Sequence, residues 1–128
     1  SKHWDCILNK QAHKGTVLSI SIHPSGRAAL TTGTDGKLKM WNLMNGECAF
    51  STKMLTGNSN FKKIKILVCE IVRWSPKGTT FSVVTRDRVM VYDTETLEKR
   101  YTLRHTLGEE GTTANVKCMI YLDVNIIQ

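Results

Sequence analysis

Proline is nearly absent from this 128-residue chain: there are two, Pro24 and Pro76, each followed two residues later by glycine, in His23-Pro24-Ser25-Gly26 and Ser75-Pro76-Lys77-Gly78. Two prolines, each in a turn-type tetrapeptide, exclude a proline-rich linker and mark two equivalent corners. No Gly-rich loop leads into Lys-Ser/Thr, no G-x-S-x-G elbow occurs, and no His/Cys cluster has metal-ligand spacing. The usual phosphate cradle, activated serine and zinc site are therefore missing as motifs, and no metal or cofactor is expected. Carboxylates lie in turns or on charged edges, and no pair stands out for acid/base work. There are no catalytic candidates, and an enzyme is not expected. The four cysteines, Cys6, Cys48, Cys69 and Cys118, form no C-x-x-C pair; they read as buried or half-buried thiols in a reducing compartment. No apolar run is long enough to span a bilayer and no secretory h-region is present, so the expectation is a soluble intracellular protein with no membrane partner.

Acidic residues are scarce in one half only. Up to Ile66 there are ten Lys/Arg against Asp5, Asp35 and Glu47, so the whole net charge of +7 sits there; from Leu67 onward eight basic residues meet eight acids. A basic half suits a phosphate-rich or acidic partner.

What is present is β-patterned. Val17–Ile22 (VLSISI) alternates with period 2, as a strand with one well-buried face does. Pro24 fixes φ and Gly26 is free to turn the chain into a second strand over Ala28–Thr32. Thr34-Asp35-Gly36 is a strong hairpin signal, and Lys37 to Trp41 follows with Leu38 and Met40 alternating against lysines. The pattern then recurs: Ile22-His23-Pro24-Ser25-Gly26 returns as Trp74-Ser75-Pro76-Lys77-Gly78, and Lys39-Met40-Trp41-Asn42 as Met90-Val91-Tyr92-Asp93. Phe81–Thr85 and Val89–Tyr92 are the strands of this second unit, joined by Arg86-Asp87-Arg88, and Thr94–Arg104 its turn and outer strand. Residues 116–121 match the first strand of a third. The extra length of the period lies in Leu55–Ile66, where Gly57, Asn58, Ser59 and Asn60 mark a flexible loop. There Phe61-Lys62-Lys63-Ile64-Lys65 sets lysines around an aromatic ring, a pattern that suits RNA phosphates with base stacking as well as a solvated connection.

His13 as a catalytic base or metal ligand needs a nucleophile or further ligands, and none is apparent in the pattern. The order His13, Thr32, Asp35, Trp41 resembles a WD40 repeat. In that family these residues are a buried hydrogen-bonded tetrad that holds the scaffold together, with the imidazole donating to Asp35 and accepting from Thr32, whose hydroxyl reaches the Trp41 indole. Asn42 stands where the family usually has Asp. The second unit has no such His, and Tyr92 replaces the Trp, so packing must hold it.

The resemblance implies an all-β architecture, a WD40 β-propeller fragment of about two blades with parts of their neighbours and seven blades in the full protein. A blade of about 40 to 45 residues buries only part of its apolar surface, and closure takes typically 4 to 8 blades. The chain therefore reads as a piece of a longer protein. Residues 1–12 are an outer strand of a preceding blade (Trp4 to residue 9) and a connection, with Trp4-Asp5 no signature dipeptide. Residues 13–54 are a blade with the full signature, 55–66 a basic inter-blade loop, 67–107 a degenerate blade, and 108–128 the start of a further one.

Within WD40 proteins the chain is similar to the PAK-interacting-protein-like family. The residues that carry this are Ala12-His13-Lys14-Gly15, Ser21-Ile22-His23-Pro24-Ser25-Gly26, Gly33-Thr34-Asp35 with Trp41-Asn42-Leu43, and Val72-Arg73-Trp74-Ser75-Pro76-Lys77-Gly78. That resemblance implies a nucleolar, non-enzymatic scaffold for assembly of the large ribosomal subunit, working through assembly factors and pre-ribosomal RNA. In animal members it also implies an inhibitory contact with a p21-activated kinase; a generic WD40 adaptor is the remaining alternative. Lys62, Lys63 and Lys65 are the candidate contacts for RNA or an acidic partner, and no small-molecule substrate is expected.

Overall fold

The computed structural model describes residues 5–6, 8–56 and 65–104. Four strands, β1 (Val17–Ile22), β2 (Ala28–Gly33), β3 (Lys37–Asn42) and β4 (Glu47–Lys53), form an antiparallel sheet in chain order. Two short strands, β5 (Leu55–Thr56) and β6 (Lys65–Ile66), pair with each other. The strands β7 (Ile71–Trp74), β8 (Thr80–Val84), β9 (Arg88–Asp93) and β10 (Lys99–Arg104) form a second sheet, again sequential. This is the architecture of two adjacent propeller blades, in which each meander is held by local hairpins.

The turns form where the sequence places them. Gly26, Gly36, Gly46 and Gly78 take φ between 75° and 78°, and at Gly36 the need is double. A Cβ there would also collide with the Ile66 side chain of β6, so only glycine lets the Asp-Gly turn lie under that strand. The chain continues from this contact: the Met54 amide donates to the Gly36 carbonyl at 2.8 Å and the Leu67 amide to the Met54 carbonyl at 2.8 Å. Both ends of the predicted loop 55–66 are thus paired strand; residues 57–64, with Lys62 and Lys63, lie outside the described residues.

The principal core fills the space between the two sheets. Leu30 and Leu38 from the first sheet meet Val72, Trp74, Phe81, Val83 and Met90 from the second, with Met54 and Cys69 between them. Burying side chains of this size stabilises by roughly 1.5–3 kcal/mol each, so the two blades are held to one another chiefly by apolar burial. A smaller cluster of Val84, Val89 and Val91, with Ile71 against it, lies apart from the main core.

In β1 the alternation is present, yet the apolar members are the exposed ones: Leu18, Ile20 and Ile22 are open, Ile20 at 57%. Ser19 and Ser21 turn toward the second sheet instead. Strand β7 is an edge of its sheet, so its outward amides need acceptors. The Ser19 hydroxyl accepts from the Val72 amide at 3.2 Å, and the Ser21 hydroxyl from the Trp74 amide at 3.1 Å. An apolar side chain at either position would leave an amide unpaired.

The expected outer strand at residues 4 to 9 is not seen as strand among the described residues there, and Trp4 lies outside them. Residues 105–128, including the candidate strand 116–121, also lie outside the described residues.

Candidate functional site

His13 is buried at 2% exposure, just before β1. Its Nδ1 lies 3.0 Å from Asp35 Oδ1 and its Nε2 lies 2.8 Å from the hydroxyl of Thr31. The Trp41 indole N–H donates to that same Thr31 hydroxyl at 2.9 Å. One consistent proton assignment follows: His13 Nδ1–H donates to Asp35, and the Thr31 O–H donates to Nε2 while accepting from the indole. Thr32, expected in this role, is not the partner. Successive residues of a strand point to opposite faces. Thr32 therefore faces away from His13, and its Oγ1, fully buried, has no hydrogen-bond partner among the described residues.

Asp35 reaches the imidazole because the turn presents it. Its carboxylate also accepts from the Lys37 amide at 3.0 Å and the Lys14 amide at 3.2 Å. Burial works against ionisation of Asp35, but these two amides and the His13 ring outweigh it and hold the carboxyl below its ordinary value. The approach of imidazole to backbone is close: a Cβ on Gly33 would lie 2.6 Å from the ring of His13.

Every polar atom of the His13, Thr31 and Trp41 side chains is therefore used inside the cluster. The arrangement ties the approach to β1, the turn and the inner strands together.

The second sheet is built without a His in this place. Asp87 occupies the equivalent turn, and the Arg88 guanidinium beside it, with Nε at 3.1 Å, holds its carboxyl below the ordinary value; the Thr85 hydroxyl donates to it as well. Rings do the rest. His23 meets Trp74 edge-on at 4.7 Å between centroids, Trp74 meets Phe81 at 5.5 Å, and Phe81 stacks on Tyr92 at 5.3 Å. Tyr92, in the position matching Trp41, contributes a ring to a packed row where Trp41 contributes a donor to a polar cluster.

Of the basic candidates, Lys65 belongs to β6, while Lys62 and Lys63 lie outside the described residues. Lys39 sits over the Trp41 ring, its Nζ 5.7 Å from the centroid. Cys69 is buried, but Cys6 and Cys48 are exposed, contrary to the expectation of buried or half-buried thiols throughout. Among the described residues there is no group of three His, Cys, Asp or Glu able to hold a metal ion, and no helix long and apolar enough to cross a membrane.

A family model described as WD domain, G-beta repeat matches residues 4–42, the stretch that carries the His13 cluster. The p21-activated protein kinase-interacting protein 1-like of Danio rerio is 36% identical over 129 residues, which cover 99% of this chain and 30% of that protein. The chain belongs to the WD40-repeat family. A Xenopus laevis protein of the same description is 47% identical over 96 residues, 75% of this chain and 23% of its own length. Protein MAK11 of Saccharomyces cerevisiae is 33% identical over 112 residues, 81% of this chain and 25% of that protein. This WD40 chain thus spans less than a third of the length of these relatives.

The solved structure of U3-55K superposes with a TM-score of 0.60 at 14% identity, over 74% of this chain and 28% of that one. The likeness is one of fold, and it agrees with two propeller blades. WD40 propellers are in general non-enzymatic platforms for protein partners, and the closed hydrogen bonding around His13 accords with that.

Proposed function

We propose that this WD40 chain belongs to a non-enzymatic scaffold of large ribosomal subunit biogenesis, working in the nucleolus through protein and RNA contacts. The observation that carries the scaffold reading is the saturation of the His13, Thr31, Asp35 and Trp41 cluster. This conspicuous polar constellation stabilises a blade, with the His13 ring nitrogens, the Thr31 hydroxyl and the Trp41 indole N–H all bonded within it. The ribosomal part of the reading rests on likeness to the PAK-interacting-protein group and to MAK11. It is supported by the excess positive charge of the first half, since phosphate contacts reward basic residues on a protein that lies against RNA. Lys62, Lys63 and Lys65 are the residues proposed to touch RNA.

A second reading is favoured by the names of the relatives. The vertebrate proteins are described as interacting with p21-activated protein kinase, and a Schizosaccharomyces pombe relative, 48% identical over 40 residues, as Shk1 kinase-binding protein 15. In this reading the protein restrains such a kinase by binding it.

A tagged pull-down of the full-length protein from cell extract, with and without RNase and read by mass spectrometry, separates the two. Large-subunit assembly factors and precursor RNA in the untreated sample support the scaffold. A kinase retained regardless of RNase, with no ribosomal material, overturns it in favour of regulation. A triple substitution of Lys62, Lys63 and Lys65 to Glu should weaken RNA recovery and its salt dependence; unchanged recovery would remove those lysines from the proposal.

A further inference from the structure

Lys37 and Lys53 are direct partners across β3 and β4. Residues paired in this way share a face of the sheet with Cβ atoms about 4.5–5.5 Å apart, and like charges placed there repel. Lys14 reaches the same corner from the approach to β1, because its amide and that of Lys37 donate to one carboxylate, Asp35, at 3.2 and 3.0 Å. The backbone of β6 adds Lys65, opposite Thr56 and next to the Ile66 that lies over Gly36. Four lysines thus gather around a single turn. Asp35 does not answer them at the surface: its side chain is 11% exposed and turned to His13. Lys14, Lys37 and Lys53 make no ion pair among the described residues.

The equivalent corner of the second blade is built differently. There the Asp87 side chain is 44% exposed and engages the Arg88 guanidinium at 3.1 Å, so acid and base cancel one another. In the first blade His13 draws the acid inward, and the surface is left with the bases. From this contrast we infer that the Asp35-Gly36 corner is an RNA-backbone contact, in which Lys14, Lys37 and Lys53 neutralise phosphates of one strand. The inference rests on the RNA reading above and extends it from the loop lysines to residues of the blade itself. Lysine binds as a point charge and lacks the planar fork with which arginine seats a carboxylate. A repeating phosphate backbone needs only such charges at intervals. The two sets of lysines adjoin along the chain, since β5 and β6 bound the stretch that carries Lys62 and Lys63, and the Met54 amide just before β5 donates to the Gly36 carbonyl at 2.8 Å.

The test uses full-length protein and a fluorescein-labelled oligouridylate, titrated by polarisation at several salt concentrations. Each phosphate neutralised on a single strand contributes about 0.7 to the slope of log affinity against log salt. The triple variant Lys14→Gln/Lys37→Gln/Lys53→Gln should therefore lower that slope by about 2 and weaken binding by at least about tenfold at low salt. Lys53→Gln alone should lower the slope by about 0.7; because it removes a like-charge pair, its melting temperature should hold or rise. An unchanged slope in the triple variant, with binding lost in Lys62→Gln/Lys63→Gln/Lys65→Gln, would leave the RNA reading standing and overturn the corner. No binding by the native protein would sink the RNA reading and the corner with it. An oligoglutamate of equal charge that binds more tightly than the oligouridylate, and is released by the triple variant, would assign the corner to an acidic protein and overturn the proposal as well.

Discussion

The indole N–H of Trp74 donates to the backbone carbonyl of Ser21 at 3.1 Å, across the junction between the two blades. The same tryptophan is anchored to the same serine a second time, through its own amide and the Ser21 hydroxyl. It is 5% exposed and lies in the row of rings that runs from His23 to Tyr92.

Trp74→Ala should therefore uncouple the blades as well as open a cavity. A loss of about 3–5 kcal/mol is expected for removing a buried ring of this size. Trp74→Phe keeps most of the packing and loses one hydrogen bond, at about 0.5–1.5 kcal/mol. Urea melts of the full-length protein check both; a Phe variant as unstable as the Ala variant would mean that packing at this site contributes little.

Adjacent threonines make a sharper test. Thr31→Val strips the partner from both His13 and Trp41 and should cost about 1–3 kcal/mol, as should His13→Ala. Thr32→Val replaces a buried hydroxyl that has no partner among the described residues and should be neutral or slightly stabilising. If Thr32→Val proved the more damaging of the two in the same melts, Thr32 and not Thr31 would be the partner of His13 and Trp41. Gly33→Ala should also destabilise, since the imidazole of His13 occupies the space a methyl group needs.

Acid should weaken the fold through Asp35. Its folded pKa is lowered, so its contribution is present above the unfolded value of about 3.9 and is lost as pH falls through the lower folded value. Asp87, held down chiefly by Arg88, acts in the same direction. Melting temperatures between about pH 5 and pH 3 should fall less steeply for Asp35→Asn than for the native protein, though from a lower starting point. Parallel slopes would show that Asp35 is not linked to folding.

Thiol labelling should be selective. Burial pushes the Cys69 thiol up to about 12, so at neutral pH it is both inaccessible and protonated. Cys6 and Cys48 are exposed. Peptide mapping after brief maleimide treatment should find Cys6 and Cys48 modified and Cys69 only after denaturant; early labelling of Cys69 would place it outside the core.

Much of the fold was legible in the residues and some of it was not, for identifiable reasons. The turns were readable, because His23-Pro24-Ser25-Gly26 and Asp35-Gly36 require backbone geometries that few residues supply. The repeat was readable for the same reason. The choice between Thr31 and Thr32 was not, since both are buried, both are β-branched, and a shift of one residue exchanges the two faces of a strand. Hydropathy showed the alternation at β1 but not which neighbour each face meets: Ser19 and Ser21 face the second sheet, where they supply acceptors to the edge amides of β7, and Leu18, Ile20 and Ile22 take the opposite face. Those amides belong to a strand more than fifty residues away. The pairing of Leu55–Thr56 with Lys65–Ile66 was hidden by the Gly, Asn and Ser that separate them.

That last pairing bears on how such a chain tolerates change. Where β5 leaves and β6 returns, the two ends stand side by side and are secured to the Gly36 turn, so the blades on either side keep their spacing whatever lies between. Length there carries only a slowly growing entropic cost, about 0.6 kcal/mol for each doubling. The position is a socket: a fluorescent module or epitope spliced in place of residues 57–64 would report on the protein from a fixed point beside the His13 cluster.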